Sequence, residues 1–413
     1  MSTKTTYKQT ELGLIPEDWE VKEVKKIAKI YDGTHSTPNY VDYGIPFYSV
    51  EHITSNNFKN TKFISEEVFF NENKRVKLER GDILMSRIGD IGTAKYIDWD
   101  VNASFYVTLA LFKKITEKID FKFITFSINS SVFAKELHKR TLHVAFPKKI
   151  NLGDIGKCKI PLPPLPEQKK IADCLSNWDS AIEKQSALIN VLTQRKKALM
   201  QQLLTGKKRL PGFSGEWKEV KLGSLFEKIN RKNNEGNTNV VTISAQKGFV
   251  KQTDFFNKSV ASETLDNYTL VYHGEFCYNK SYSNGYPLGA TKRLNNFEKA
   301  VVTTLYICFG IKDKNKTSGD YFEQYFEANS LDRSLIKIAQ EGGRAHGLLN
   351  VSLADFFNIK IHIPSLSEQT AIAEILATAD RELTLQKEKL AQLQTQKKGL
   401  MQVLLTGKKR LIN

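Results

Sequence analysis

Residues Ile160 to Leu210 recur at Ile361 to Leu411, at a constant offset of 201 residues without a gap, and 24 of the 51 paired positions are identical. Unrelated segments of ordinary composition would agree at roughly 3 positions. Each copy opens on a proline-punctuated entry, IPLPPLPEQKKIA in the first and IHIPSLSEQTAIA in the second, and each closes on LLTGKKRL. Proline fixes φ and has no N–H to donate, so Pro163, Pro164 and Pro166 hold the first entry extended and predict a helix from about Glu167.

The helix carries a seam with steps of four and three. In the first copy it runs Ile171, Leu175, Trp178, Ile182, Gln185, Ile189, Leu192, Lys196, Leu199 and Leu203; in the second, Ile372, Leu376, Ala379, Leu383, Gln386, Leu390, Leu393, Lys397, Leu400 and Leu404. This is a heptad pattern, and so narrow an apolar stripe needs a partner helix. The chain holds two such helices, so a self-made coiled coil is expected. If the pair is antiparallel, each helix carries its preceding domain to the opposite end and an internal pseudo-twofold results. Trp178 is answered by Ala379, a large residue against a small one that is expected to fix the register of the pair.

Outside the helices the repeat continues more faintly. Trp19 in the lead-in TELGLIPEDWEVKEV is answered by Trp217 in PGFSGEWKEVKL. Turn signals separate strand-like runs at Ile45 to Val50, Ile83 to Ser86 and Tyr106 to Lys113, followed by a helical stretch from Phe121 to Arg140. The second half repeats the order with Val240 to Ser244, Glu275 to Asn279, Val301 to Phe309 and a helix from Asp320 to Ala339. The expected fold class is α+β: two mixed α/β domains (1–160 and 211–361), each followed by a long helical region (161–210 and 362–413), the helices pairing as an antiparallel coiled coil. Helices that must pair with each other stay matched, whereas domains diverge if they recognise different things.

A formal charge of +16 over 413 residues favours an acidic partner, with nucleic acid ahead of a membrane surface. No apolar run reaches the eighteen or so residues of a spanning helix and Met1 to Thr10 has no signal-peptide core, so a cytoplasmic protein is expected. The 4 cysteines are scattered singly, and the 7 histidines take no ligand spacing beside them. TGKK at Thr205 and Thr406 lacks the first glycine of a phosphate loop and ends a helix instead of starting one. The run Gly342 to Gly347 follows a helix, unlike a dinucleotide-binding turn. Glu20-Val21-Lys22 after Asp18 has the outline of a nuclease trace, but no carboxylate cluster accompanies it. No catalytic, cofactor-binding or metal site is expected in this chain.

Reading DNA requires donors and acceptors at base edges and basic groups at phosphates. In the second domain the run Tyr278 to Pro287 is polar, aromatic and free of acid, which singles out Lys280, Tyr282, Asn284 and Tyr286. Arg344 and His346 sit among glycines that permit close backbone approach. In the first domain the candidates are Thr34, His35 and Ser36, then Ser86 and Arg87, then His143 and Lys148.

With these features assembled, the chain resembles the specificity subunit of type I restriction-modification enzymes. The resemblance rests on the two Glu-Gln entries, the two LLTGKKRL endings, the lead-in GLIPEDWEV, and the pieces GDILMSRIGDIG and YNKSYSNGYPLGA, and it covers nearly the whole chain. It implies two target recognition domains and two helical conserved regions that read an asymmetric bipartite site in double-stranded DNA. It further implies assembly with methyltransferase (modification) subunits and a translocating restriction subunit, which would hold S-adenosylmethionine, ATP and Mg²⁺. A freestanding coiled-coil DNA-binding regulator is the alternative, and an autonomous nuclease a third.

Overall fold

The structure, a computed structural model, describes residues 6–256, 265–339 and 349–412. The chain divides into two compact units, Met1–Ser186 with Glu388–Asn413, and Ala187–Lys387. The boundary cuts through both long helices. Each unit therefore contains one α/β domain, the first half of the helix that follows it, and the second half of the other helix.

In the first unit, four antiparallel strands lie in the order Ala28–Asp32, Leu109–Lys114, Ile83–Ile88, Asp90–Tyr96. Ile83, Met85 and Phe112 are fully buried in one cluster with Phe121, Phe123 and Phe133 from the following helices. The stretch expected as one helix from Phe121 to Arg140 is two, Phe121–Ile128 and Ser131–His138. The break has a cause on each side. Asn129 completes the exposed edge of the last strand, accepting from Ala94 N at 2.9 Å and donating to Ala94 O at 2.9 Å, and Ser130 caps the second helix through Phe133 N. The strand expected from Tyr106 begins only at Leu109, because Tyr106 to Leu109 closes a turn. A smaller sheet, Ser104–Phe105, Ile45–Tyr48, Lys62–Ile64, Tyr40–Val41, flanks the first.

The second unit repeats the main sheet in the same order: Phe226–Lys228, Ile307–Ile311, Phe276–Asn279, Ala290–Arg293. Its helical stretch also splits, into Gly319–Glu327 and Asp332–Ile338. Asn329, in the left-handed region at φ 54°, turns the chain between them. The strand expected from Val301 to Phe309 is interrupted, giving Lys299–Val302 and Ile307–Ile311. The flanking strands differ from those of the first unit, forming two separate antiparallel pairs. The scaffold sheet is shared while its flank has diverged.

The long helices span Leu165–Leu203 and Leu366–Leu404, 39 residues each. The first starts two residues earlier than the prolines predict: Pro166 fits the first turn, where its missing N–H has no intrahelical partner to lose. Neither helix is apolar enough to cross a membrane, and no other described helix is. All ten seam positions in each copy are buried or half-buried. The pairing is antiparallel in each unit. In the first, Lys397 reaches Asp179; in the second, Lys196 reaches Asp380. These are one pair written twice, since 397 − 196 = 201 and 380 − 179 = 201. The polar interruptions at Lys196 and Lys397 are thus explained by the partner helix. With Asp179 against Lys397 and Asp380 against Lys196, Trp178 and Ala379 each lie beside a lysine of the other copy, and it is these ion pairs that mark the register.

The entry and ending motifs meet in the same reciprocal way. In the first unit Glu167, 2% exposed, accepts from Arg410 Nε and Nη2, both at 2.8 Å, and from Trp19 Nε1 at 3.1 Å. In the second, Glu368 accepts from Arg209 Nε and Nη2, both at 2.7 Å. The neighbouring glutamines bind each helix to its domain. Gln168 Oε1 accepts from Asp120 N and its Nε2 donates to Pro163 O; Gln369 does the same with Ser318 N and Pro364 O. Asp120 and Ser318 are the N-caps of the domain helices. Among the matching residues, Glu167 and Glu368, Gln168 and Gln369, and Arg209 and Arg410 bind the other copy or the adjacent domain.

Candidate nucleic-acid interface

In the first unit the loops at one end of the main sheet converge on Asp32 and Arg87. Asp32 ends the first strand and is 8% exposed. Its carboxylate accepts from His35 Nε2 at 2.8 Å and from Arg75, which also reaches the Asp32 carbonyl. Burial pushes the Asp32 carboxyl up, but the hydrogen bonds from Arg75 and His35 outweigh it and leave the group below its ordinary range. Gly33 is required next to it: a Cβ there would lie 1.9 Å from the Phe105 carbonyl oxygen.

Arg87 was expected to face DNA and does not. It is 7% exposed, with Nε donating to Val107 O at 2.9 Å, Nη1 to Ile150 O at 3.1 Å and Nη2 to Asp32 at 3.5 Å. It is a pillar joining three loops, and burial lowers its pKa against the support of Asp32. Ser86 is fully buried, its hydroxyl donating to Asp90 and accepting from Thr93 N. Alternation on a strand puts these polar side chains inside as readily as outside, and sequence alone does not choose. The loops they support are exposed. Thr34 is half-buried, paired through its backbone with Phe105 and Val107, while His35 and Ser36 project. His143 and Lys148 are exposed on the loop between Leu142 and Lys149. Lys148 O accepts from Gly89 N at 2.8 Å, so this loop leans on the tight turn of the Ile83–Tyr96 hairpin.

In the second unit the corresponding hairpin, Phe276–Asn279 with Ala290–Arg293, is joined by a long loop that holds Lys280 to Gly289. Tyr282 is 66% exposed and Asn284 is exposed, while Lys280 is half-buried with its carbonyl accepting from Leu349 N. Gln246 and Asn329 brace the tip through Asn284 O and Gly285 O. Tyr286 is half-buried and held in place: its hydroxyl donates to Glu327 at 2.6 Å, and Lys292 lies over its ring at 4.6 Å. Burial and the Glu327 carboxylate hold its pKa well above the ordinary tyrosine value. Arg344 and His346 lie outside the described residues.

The nuclease-like trace is absorbed by structure. Asp18 pairs with Arg410, and Glu20 with Lys22. Among the described residues no group of His, Cys, Asp and Glu is placed to hold a metal ion. Sequence reasoning missed Arg75, the partner of Asp32, and within the candidate stretch His143 to Lys149 it singled out His143 and Lys148 but not Val144 and Phe146, which are fully exposed beside them. The signal for the last two was present: apolar residues in a loop segment, Leu142 to Lys149, that contains no acid.

Comparison with known proteins agrees with this duplicated organisation. A type I restriction enzyme MjaX specificity subunit assigned in Methanocaldococcus jannaschii is 27% identical over 434 residues, covering 98% of this chain and 97% of that one. The EcoBI specificity subunit of Escherichia coli is 28% identical over 194 residues, 44% of this chain and 40% of that one. Among solved structures, the type I S subunit from M. genitalium superposes with a TM-score of 0.54 at 14% identity, covering 94% of this chain and 96% of that one. A chain from a study of complex assembly in a type I R-M system gives 0.54 at 14% identity, covering 95% and 99%. Residues 16–194 and 214–395 each match the type I restriction modification DNA specificity domain. Two such matches on one duplicated scaffold, with divergent loops at the same end of each sheet, make this chain a member of the type I restriction-modification specificity subunit family, a non-catalytic DNA-recognition subunit.

Proposed function

We propose that this chain reads an asymmetric, bipartite site in double-stranded DNA, one half-site per specificity domain, and directs partner subunits to it in the cytoplasm. The observation that carries the reading is the contrast at one topological position. The same strand pair closes with a tight turn at Gly89 in the first unit and with the Lys280 to Gly289 loop in the second. One scaffold thus presents two different reading surfaces, and direct readout depends on which side chains reach base edges. The readers in this proposal are Thr34, His35, Ser36, His143 and Lys148 in the first domain and Lys280, Tyr282 and Asn284 in the second, with Arg344 and His346 retained from the sequence.

The partners are modification subunits that methylate adenine using S-adenosylmethionine, and restriction subunits that translocate and cleave using ATP and Mg²⁺. A base must leave the duplex to be methylated, and this chain's part is to select where that happens. The test is an exchange of Lys218 to Ile361 for the matching domain of a relative, followed by methylome sequencing. One half-site changes and the other stays. A change in both, or methylation independent of this chain, refutes the reading.

A further inference from the structure

The loop from Leu142 to Lys149 is built unlike a solvated connection. Its stem is fixed: Leu142 bridges Lys149, and Lys149 bridges Ile88 of the main sheet. Gly89 N donates to Lys148 O, and Ile150 N to Arg87 O. His143 packs on His138 with ring centroids 4.4 Å apart and its Nε2 lies 2.9 Å from the His138 carbonyl. From this anchored base Val144 and Phe146 project with their side chains fully exposed. A loop that serves only as a connection gains nothing by holding an aromatic ring in water. The flanks are His143 on one side and Lys148 and Lys149 on the other, all exposed.

An exposed ring between cations fits a surface that is anionic outside and apolar and planar within. A DNA duplex has that construction, with phosphates along the rim and stacked bases behind them. Proteins that insert an apolar side chain between base steps partly unstack and kink the duplex. Three residues from the stem on the Lys149 side, the backbone at Phe146 lies at most roughly 10 Å out, and its exposed ring adds to that reach, against a groove depth of about 8 Å. We propose that Phe146, with Val144 beside it, is a wedge that enters a base step at or next to the half-site read by the first domain. This rests on the DNA-reading function proposed above. The wedge makes deformability of that step part of specificity, without any hydrogen bond to a base.

The experiment uses the full chain assembled with its modification subunits, on a duplex carrying the site that methylome sequencing assigns. 2-Aminopurine is placed in turn at each step of that half-site and its flanks. The expected result is a several-fold fluorescence rise at one step, distinct from the methylated adenine. Phe146→Ala abolishes that rise and lowers affinity about tenfold, and Phe146→Leu retains part of it. Because Phe146 is fully exposed, the variant folds as the parent does, which circular dichroism checks.

A complex that methylates its site but shows no Phe146-dependent rise at any step overturns the wedge and leaves the DNA-reading function standing. If Phe146→Ala instead blocks assembly with the modification subunit while the free chain keeps its duplex affinity, the loop docks protein and the wedge is overturned. A complex that methylates no DNA overturns the DNA-reading function and the wedge with it.

Discussion

Removing Arg410 tests whether the reciprocal clasp holds each unit closed. Glu167 is 2% exposed and the Arg410 side chain 9%, so the pair is out of water on both sides. Arg410→Ala deletes two 2.8 Å hydrogen bonds and leaves the carboxylate with Trp19 Nε1 at 3.1 Å and Leu411 N at 3.3 Å. Two neutral donors do not replace a guanidinium, and breaking one side of a buried pair costs about 3 to 5 kcal/mol. Because Arg410 also binds exposed Asp18, whose loss costs little, about 3 kcal/mol is expected. The assay is native-state hydrogen exchange, which resolves the units separately. Protection should fall by that amount in Glu20–Glu23 and Lys159–Leu162, and by less in Lys218–Lys221 and Lys360–Ile363. Glu167→Met with Arg410→Met should recover most of the loss, since an apolar pair leaves no buried charge. The clasp also has a pH signature. The Arg410 hydrogen bond holds Asp18 below the ordinary carboxylate range against burial. That contribution is present above the unfolded pKa of about 3.9 and lost as pH falls through the lower folded value. Loss below 1 kcal/mol in Arg410→Ala, or a double variant no better than the single, refutes the clasp.

Three other outcomes are expected. Arg87→Ala strips Val107 O and Ile150 O of their donor, costing the first unit about 3 kcal/mol in exchange protection, whereas His35→Ala, which removes one exposed bond to Asp32, costs about 1 kcal/mol or less and weakens duplex binding; equal effects on both measurements would contradict the division into pillar and reader. Lys148→Ala lowers the slope of log affinity against log salt by about 1 without altering the methylated sequence, and a changed sequence would show Lys148 at a base edge. Asp32 sits below its ordinary pKa because Arg75 and His35 outweigh burial, so its support is present above the unfolded carboxylate value and lost as pH falls through the folded one; Arg75→Met moves acid unfolding of the first unit to higher pH, and an unmoved acid limb would remove Asp32 from the account.

The helices were legible in the sequence because two constraints act on the same residues. A seam must repeat every seven positions to face a partner, and here the partner is another copy, so residues such as Asp179 with Lys397 had to match Asp380 with Lys196. The helix breaks at Asn129 and Asn329 were missed because one polar residue against a strand edge or in a left-handed turn leaves no periodic trace. The loops divide differently. Tyr282 and Tyr286 are one residue type four positions apart, yet one is exposed and the other is bound to Glu327, a residue 41 positions away. Whether a polar side chain reads or braces depends on what folds against it, which the local sequence does not contain. Arg87 was misread for the same reason, since its acceptors at Val107 and Ile150 are backbone carbonyls with no side-chain signature.

The division of the chain also sets an order of assembly on the ribosome. Ala187–Lys387 is a continuous segment, so the second unit can close as soon as its last helical turns emerge. The first unit begins earlier in the chain but lacks Glu388–Asn413 until those residues have been made. Until then Ile171 and Leu175 have no Leu400 or Leu404 to pack against, and Glu167 has no Arg410. The usual sequence, in which the N-terminal domain folds first, is reversed at its final step. A ribosome that stalls within the last helix releases a chain whose second unit is complete and whose first is open, with apolar seam and buried carboxylate in water. Such a product would expose its first unit alone to chaperones or proteases, because the residues that complete the core of that unit are the ones made after the second unit is whole.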